Sequence, residues 1–307
     1  MDRFGPSALT IGNFDGVHAG HREILRRVVE LARERGWKPS VLTFDPHPAR
    51  VVAPERAPRL LTTPEERARL MREAGIEQVL ILPFTRELAG FSPERFVREI
   101  VVERLEARAV LVGDNFRFGH QHAGDTRLLE ELGRRDGFLV EAVPAIRMRG
   151  RVVSSSEVRR LIEAGNVALA ARLLARPYAL AGEVVAGQGI GSRQTVPTLN
   201  LAPAAGVQPA RGVYITRTTD PETGRRWNSV TNIGTRPTFD GESVTVETFL
   251  LDPLTGASPR AIRVEFLRRL REERRFDDAA ALKRQILRDV GRAETYFRRV
   301  PGRPLSR

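Results

Sequence analysis

The stretch Thr10-Ile11-Gly12-Asn13-Phe14-Asp15-Gly16-Val17-His18-Ala19-Gly20-His21 decides the fold. It closes a β-rich run at 8–11 and opens a helical pattern, with glycines at 12, 16 and 20 marking the passage. The rest of the first half repeats this alternation, with β-rich runs at 40–44, 79–82, 109–112 and 138–143 separated by helical segments. Two of those helices announce their starts. Thr63-Pro64-Glu65-Glu66 is a capping box with proline in the first helical position, and Ser92-Pro93 repeats the cap and the proline. The alternation predicts an α/β domain in which a parallel sheet is covered by helices on both faces, with ligands beyond the C-terminal ends of the strands.

After about residue 178 the texture changes. Short β-rich runs at 182–185, 213–218, 228–232, 244–251 and 262–267 are divided by turn-rich segments at 220–224 and 252–256. This predicts a small antiparallel β-barrel, closed by a helix from about Asp277 with Ala281, Leu282, Gln285, Ile286 and Val290 on one face. A chain of 307 residues with 41% hydrophobic content supports two cores, and the change near Arg176-Pro177-Tyr178 predicts domains 1–179 and 180–307.

Composition narrows the chemistry. With no cysteine, disulfides and thiolate metal sites are excluded. No apolar run approaches the roughly 20 residues that span a bilayer, and residues 1–7 do not resemble a signal peptide, so the expectation is a cytoplasmic protein without a membrane partner. The net charge of +12 suits either nucleic acid or polyanionic small substrates. Lysine, however, occurs only at Lys38 and Lys283, and arginine is interleaved with glutamate (Glu23, Arg26, Arg27, Glu30, Arg33, Glu34) as on a solvated helical face. Aromatic residues make up 6% and form no stripe among the basic ones, which argues against nucleic acid as partner.

Histidine is confined to 18–122, so imidazole chemistry belongs to the first half. His18 and His21 share one face of a helix N-terminus, where Gly12, Asn13, Phe14, Asp15 and Gly16 bring backbone close. Two donors at a positive dipole end suit the triphosphate of ATP and the charge of a transferring nucleotidyl group, with neither histidine acting as nucleophile. Val153-Ser154-Ser155-Ser156-Glu157-Val158-Arg159 leads into a helix ending at Gly165. There Ser155 or Ser156 suits the N-cap, and Arg159 suits a phosphate clamp. In the second half, glycines 187, 189 and 191 precede Val196-Pro197-Thr198-Leu199-Asn200. Such a segment suits phosphates and a hard cation, and read alone it is equally an ordinary loop.

In this order, 12–21, Thr43-Phe44-Asp45-Pro46-His47-Pro48, Gly113-Asp114-Asn115-Phe116-Arg117-Phe118-Gly119 and the Ser-Ser-Ser-x-x-Arg segment resemble the adenylyltransferase module of prokaryotic bifunctional riboflavin kinase/FMN adenylyltransferases. Asn115 stands where many relatives carry aspartate. The second half, with 198–200, 232–239, Glu247, Leu270-Arg271, Glu273, Phe276, Gln285 and Asp289, resembles the riboflavin kinase module. It departs from the usual GRxxGxPTxN pattern in that Ser192 follows Gly191 and Thr195 precedes Val196.

The resemblance implies a Rossmann-like nucleotidyltransferase domain followed by a riboflavin kinase-like barrel. It implies ATP at the first and last motifs of the first half (Gly12, Asn13, Phe14, Asp15, Gly16, His18, His21, Ser155, Ser156, Arg159) and flavin at His47, Asn115 and Phe116. In the barrel it implies ATP at Gly191, Thr198 and Asn200, Mg²⁺ at Thr198 and Asn200, and flavin at Glu247 and Arg271, with Glu247 as base. Riboflavin, FMN and ATP would be the small-molecule partners of a monomer or weak homo-oligomer. Two other readings remain open on the residues alone: an adenylyltransferase whose barrel only binds flavin, and a basic RNA-binding protein on the same scaffold.

Overall fold

The computed structural model describes residues 5–185, 198–202, 206–238, 241–274 and 276–300. They form two compact units that divide between Ser155 and Ser156. In the first unit the strands β1 (Ser7–Ile11), β2 (Lys38–Asp45), β3 (Gln78–Pro83), β4 (Ala107–Gly113) and β5 (Leu139–Val143) make a parallel sheet in the order β3-β2-β1-β4-β5. Between them run α1 (Ala19–Arg35), α2 (Ala49–Val52), α3 (Pro64–Glu73), α4 (Arg86–Ala89), α5 (Pro93–Phe96) and α6 (Thr126–Asp136), and a π-helical segment, Val97–Arg104, continues α5. The two sequence-read caps are in place: Thr63 accepts from the Glu66 amide and Ser92 from the Arg95 amide.

Strand alternation sorts the core into two layers. Leu9, Ile11, Leu42 and Phe44 face Phe96, Val97, Val101, Leu129 and Leu132 on one side of the sheet. Ala8, Val41, Ala109 and Leu111 face Leu25, Val28, Leu70 and Met71 on the other. Each such buried leucine contributes roughly 1.5–3 kcal/mol. The sheet is thus doubly wound, and its winding reverses between β1 and β4, which opens a crevice beyond their C-terminal ends. A short hairpin, β6 (Arg147–Met148) and β7 (Arg151–Val152), leads out of the unit.

The second unit carries α7 (Ser155–Glu163), whose first residue lies in the first unit, then α8 (Val167–Leu174) and a closed barrel. The barrel strands are β8 (Tyr178–Val185), β9 (Thr198–Leu201), β10 (Gly212–Thr219), β11 (Arg226–Thr238), β12 (Gly241–Leu250) and β13 (Ala261–Arg271), in the order β10-β11-β12-β9-β8-β13 with every pair antiparallel. The division lies upstream of the expected 179/180 boundary because α8 packs on β8 and β13. The α7–α8 turn is tied down as well. The Ala210 amide donates to the Ile162 carbonyl, and a side chain at Gly165 would run into Arg269, 2.9 Å from its Cδ.

Two features of the barrel differ from the sequence reading. The strand β9 was concealed inside a motif read as a loop. The closing helix α9 (Ala279–Arg299), capped by Asp278, turns Asp289 and Ala293 inward and leaves Leu282 38% exposed. Its packing stripe follows the i, i+4 row 285–289–293, with Tyr296 and Phe297 against Val213, Ile215 and Val230. Inside the barrel, Thr216, Ser229, Thr231 and Thr248 are buried and hydrogen-bonded to one another at 2.7–3.0 Å. They are a polar ladder in which every hydroxyl finds a partner.

Candidate active sites

The loop between β1 and α1 holds an unusual backbone. Gly16 has φ 81°, and Phe14 and Val17 are left-handed at φ 49° and 39° without being glycine. Such residues cost of order 1–3 kcal/mol each and persist only where the surroundings hold them. The holding group is Asp15. Its carboxylate is 1% exposed and accepts from the Leu61 and Thr62 amides and the Thr62 hydroxyl, while Thr62 Oγ1 also accepts from the Gly16 amide. Asp15, expected at ATP, therefore turns into the protein and braces the loop.

His18 is the N-cap of α1: its Nδ1 accepts from the His21 amide at 3.2 Å. In the neutral ring this places the proton on Nε2, so that Nε2 is a donor. The His18 and His21 rings stack with centroids 3.6 Å apart, and the edge of Phe14 meets His21 at 4.9 Å. A Cβ at Gly20 would stand 3.2 Å from the His18 ring, so the glycine there admits the imidazole. Gly12 does the same for Phe14. With no acidic residue in the first turn of α1, its positive end is uncompensated by its own side chains.

Beyond β2, His47 Nδ1 accepts from the Ala49 amide at 3.2 Å. Its Nε2 lies 3.2 Å from the Asn13 carboxamide nitrogen Nδ2. The ATP-side and flavin-side candidates are thus in direct contact. Beyond β4, Asn115 is exposed at the end of the strand, and Phe116 stacks on the buried Phe118 at 5.5 Å. The candidates Gly12–His21, His47 and Asn115–Phe116 leave the C-terminal ends of the three adjacent strands β1, β2 and β4.

Ser155 is the first residue of α7, inside the helix and not its cap, and its hydroxyl donates to the Asp15 carbonyl at 2.8 Å. Ser156 is exposed, and Arg159 lies one turn along α7. Sequence reasoning missed Thr62 and Arg67. Arg67 is 1% exposed and donates to the carbonyls of Asn13 and Phe44, and the habit of reading arginine as a surface residue concealed it.

In the barrel the candidates stand on strands. Asn200 on β9 pairs directly with Glu247 on β12, which pairs with Asn232 on β11. Directly opposed residues project from one face, so the three form a row across adjacent strands on the outer surface, beside Thr198 opposite Phe249. Residues 246, 248 and 250 point the other way, into the interior. Among the described residues, Thr198 Oγ1 is buried without a hydrogen-bond partner. Arg271, expected at flavin, donates from Nε to Asp289 at 2.8 Å, with the two side chains 12% and 3% exposed, and Gln285 completes the Asp289 carboxylate at 3.0 Å. Its guanidinium holds α9 to the end of β13. Gly191 lies outside the described residues.

Comparison with known proteins separates the same two regions. The FAD synthetase family matches residues 2–157, and the riboflavin kinase family matches residues 174–297. A bifunctional riboflavin kinase/FMN adenylyltransferase of Escherichia coli (strain K12) is 37% identical over 293 residues, covering 94% of this chain and 92% of the relative. A protein of the same name from Pseudomonas fluorescens is 40% identical over 285 residues, covering 92% and 91%. Among solved structures, one described as a macrolide-efflux protein from Streptococcus pneumoniae matches with a TM-score of 0.86 at 26% identity, covering 94% of both chains. No helix among the described residues is long and apolar enough to cross a membrane.

Proposed function

This chain belongs to the bifunctional riboflavin kinase/FMN adenylyltransferase family and converts riboflavin to FMN and FMN to FAD, and on that premise we propose that the β1–α1 loop is its adenylyl-transfer site and the Thr198–Asn200–Glu247 row its kinase site. The observation that carries the reading is the stacked His18–His21 pair at the uncompensated N-terminus of α1, on the crevice where the sheet reverses. There a phosphate oxygen of FMN attacks the α-phosphorus of ATP, the new O–P bond forms, and the bond to the β-phosphate breaks to release pyrophosphate. Charge accumulates on the departing phosphates, and His18 Nε2–H, His21 and the helix end receive it. Arg159 adds a guanidinium for the phosphates by its place in the motif, and Ser155 and Ser156 line the start of the same helix. His47, Asn115 and Phe116 serve the flavin.

In the barrel, Glu247 takes the proton of the riboflavin ribityl hydroxyl as its oxygen bonds to the γ-phosphorus of ATP and ADP leaves. The buried, unpartnered Thr198 hydroxyl beside the Asn200 carboxamide fits a hard cation that takes oxygen ligands and completes its shell with water and phosphate. Mg²⁺ held there would neutralise phosphate charge. Because Arg271 is committed to Asp289, its contribution to flavin binding is to keep α9 in place. The separable kinase half retains α8, since a cut at 179/180 would also remove Tyr178, whose hydroxyl donates to the Val207 carbonyl at 2.6 Å. With ATP as co-substrate, the enzyme works in the cytoplasm as a monomer or weak homo-oligomer, on free small molecules without nucleic acid or membrane.

The test is a time course with riboflavin, ATP and Mg²⁺, separating riboflavin, FMN and FAD. FMN rising before FAD is the expected result, with both abolished by chelation of the cation. FAD from supplied FMN, but no FMN from riboflavin, would reduce the barrel to a flavin-binding module.

A further inference from the structure

The two loops that carry the ATP-side and flavin-side candidates are joined by one buried arginine. The ladder between β1 and β2 ends with the Gly12 amide donating to the Leu42 carbonyl at 3.1 Å. Past that point the carbonyls of Asn13 and Phe44 face the same guanidinium, with Arg67 Nη1 at 2.7 Å from the first and Nη2 at 2.9 Å from the second. The planar fork continues the interstrand bonding where the backbones no longer supply it. Thr43 Oγ1 gives the Asn13 carbonyl a second donor at 3.2 Å.

We propose that Arg67 is a positioning residue of the adenylyl-transfer site, clamping the ATP-side loop after β1 and the flavin-side turn after β2 in one fixed geometry. This rests on the assignment of that site made above. Asn13 leads into the strained turn at Phe14, and Phe44 leads through Asp45 to His47, which meets the Asn13 carboxamide. Any slackening of the two carbonyls is therefore transmitted to both substrates' sides at once. Burial pushes the guanidinium below its ordinary pKa, and the Asp15, Asp45 and Glu65 carboxylates oppose that shift. Among the described residues its Nε is buried without a partner, which marks the two Nη donations as what holds the group. A surface arginine makes no such demand on the fold.

The experiment compares Arg67→Met and Arg67→Lys with the unmodified full-length enzyme, measuring KM for FMN, KM for ATP and kcat of FAD formation, with FMN formation from riboflavin assayed in the same samples. Methionine fills the space and removes both donors. Since displacements of about 1 Å cost about 10²-fold in catalysis, kcat/KM for FAD formation should fall by about that factor, with both KM values raised at least about fivefold. Lysine keeps the charge and reaches one carbonyl, so it should restore about tenfold of the loss, mainly in kcat, with both KM values still raised more than about threefold. Riboflavin phosphorylation should be unchanged. A residue that only stabilises the fold lowers kcat with the folded fraction and leaves KM alone. KM values within about twofold of the unmodified enzyme, in either variant, overturn the proposal. If Arg67→Met does not fold, Arg67→Lys decides by the same criterion. His18→Ala, run alongside, separates the two levels: if it makes FAD normally, the site assignment has failed whatever Arg67 does.

Discussion

The two units arrange chemistry in opposite ways. In the first, the candidate side chains leave the ends of strands and stand on loops, and the loops are made rigid by buried groups bonded to the backbone: Asp15 on the 61–62 amides and Arg67 on two carbonyls. In the second, Thr198, Asn200, Asn232 and Glu247 stand on the strands themselves, and the barrel's hydrogen-bond register brings them side by side. A loop site needs braces, and it leaves a contiguous motif in the chain. A register site needs none beyond the sheet, and its residues are scattered over 50 positions whose proximity no local pattern records. One consequence is testable in either direction: loop chemistry and strand chemistry should fail independently.

The largest effect is expected from His18→Ala combined with His21→Ala. Each donor aimed at developing phosphate charge is worth about 10²- to 10³-fold, so FAD formation from FMN should drop by about 10⁴-fold or more while FMN formation from riboflavin is unaffected. An assay of both half-reactions on the double variant checks it, and survival of FAD synthesis would remove the histidines from the chemistry. Next comes Glu247→Gln, which keeps the cross-strand geometry and removes the proton acceptor. FMN formation should fall by about 10²- to 10⁴-fold with adenylylation of supplied FMN intact. Loss of both reactions together would show that the two sites are not independent.

The same contrast explains what could be read from the chain. The parallel sheet, its strands and the caps at Thr63 and Ser92 follow from short-range signals that survive folding unchanged. The position of His18 and His21 at a helix N-terminus was legible for the same reason. The inward turn of Asp15 was not, because its partners at 61–62 are 46 residues away and nothing local distinguishes a carboxylate that binds backbone amides from one that meets a ligand. In the barrel, Thr198 and Asn200 stood out as a motif. Their strand did not, since four residues are too few for period-two alternation to register. The interior hydroxyl ladder was concealed by threonine's double character as a strand former and a polar group.

Arginine gives the finest version of the comparison, because one arginine–carboxylate cluster in each unit can be set against the other at opposite levels of burial. In the barrel, Arg271 and Asp289 form a pair that is nearly enclosed and joins β13 to α9. Asp289→Asn leaves a buried guanidinium facing a neutral group, and removing one partner of a buried pair costs about 3–5 kcal/mol, so thermal or denaturant unfolding of this variant should register a loss of that size. On α1, Glu23 meets Arg26 at 2.6 Å and Arg27 at 3.1 Å, but the glutamate side chain is 26% exposed and the arginines 53% and 36%. The hydrogen bond from Arg26 comes first among the causes that hold the Glu23 carboxyl down at about 2, against 4.5 ordinarily, with Arg27 adding to it and partial burial opposing. A carboxyl depressed in the folded state contributes stability above its unfolded value and loses it as pH falls towards the folded one, here between 4.5 and about 2. Water and salt screen most of that gain, so Glu23→Gln should cost less than about 1 kcal/mol at neutral pH. The difference between the variant and the unmodified protein should close as unfolding is followed down through that window. A loss at neutral pH as large as that of Asp289→Asn, or one that persists at the acid end of the window, would mean that the α1 cluster carries structure which its exposure does not reveal.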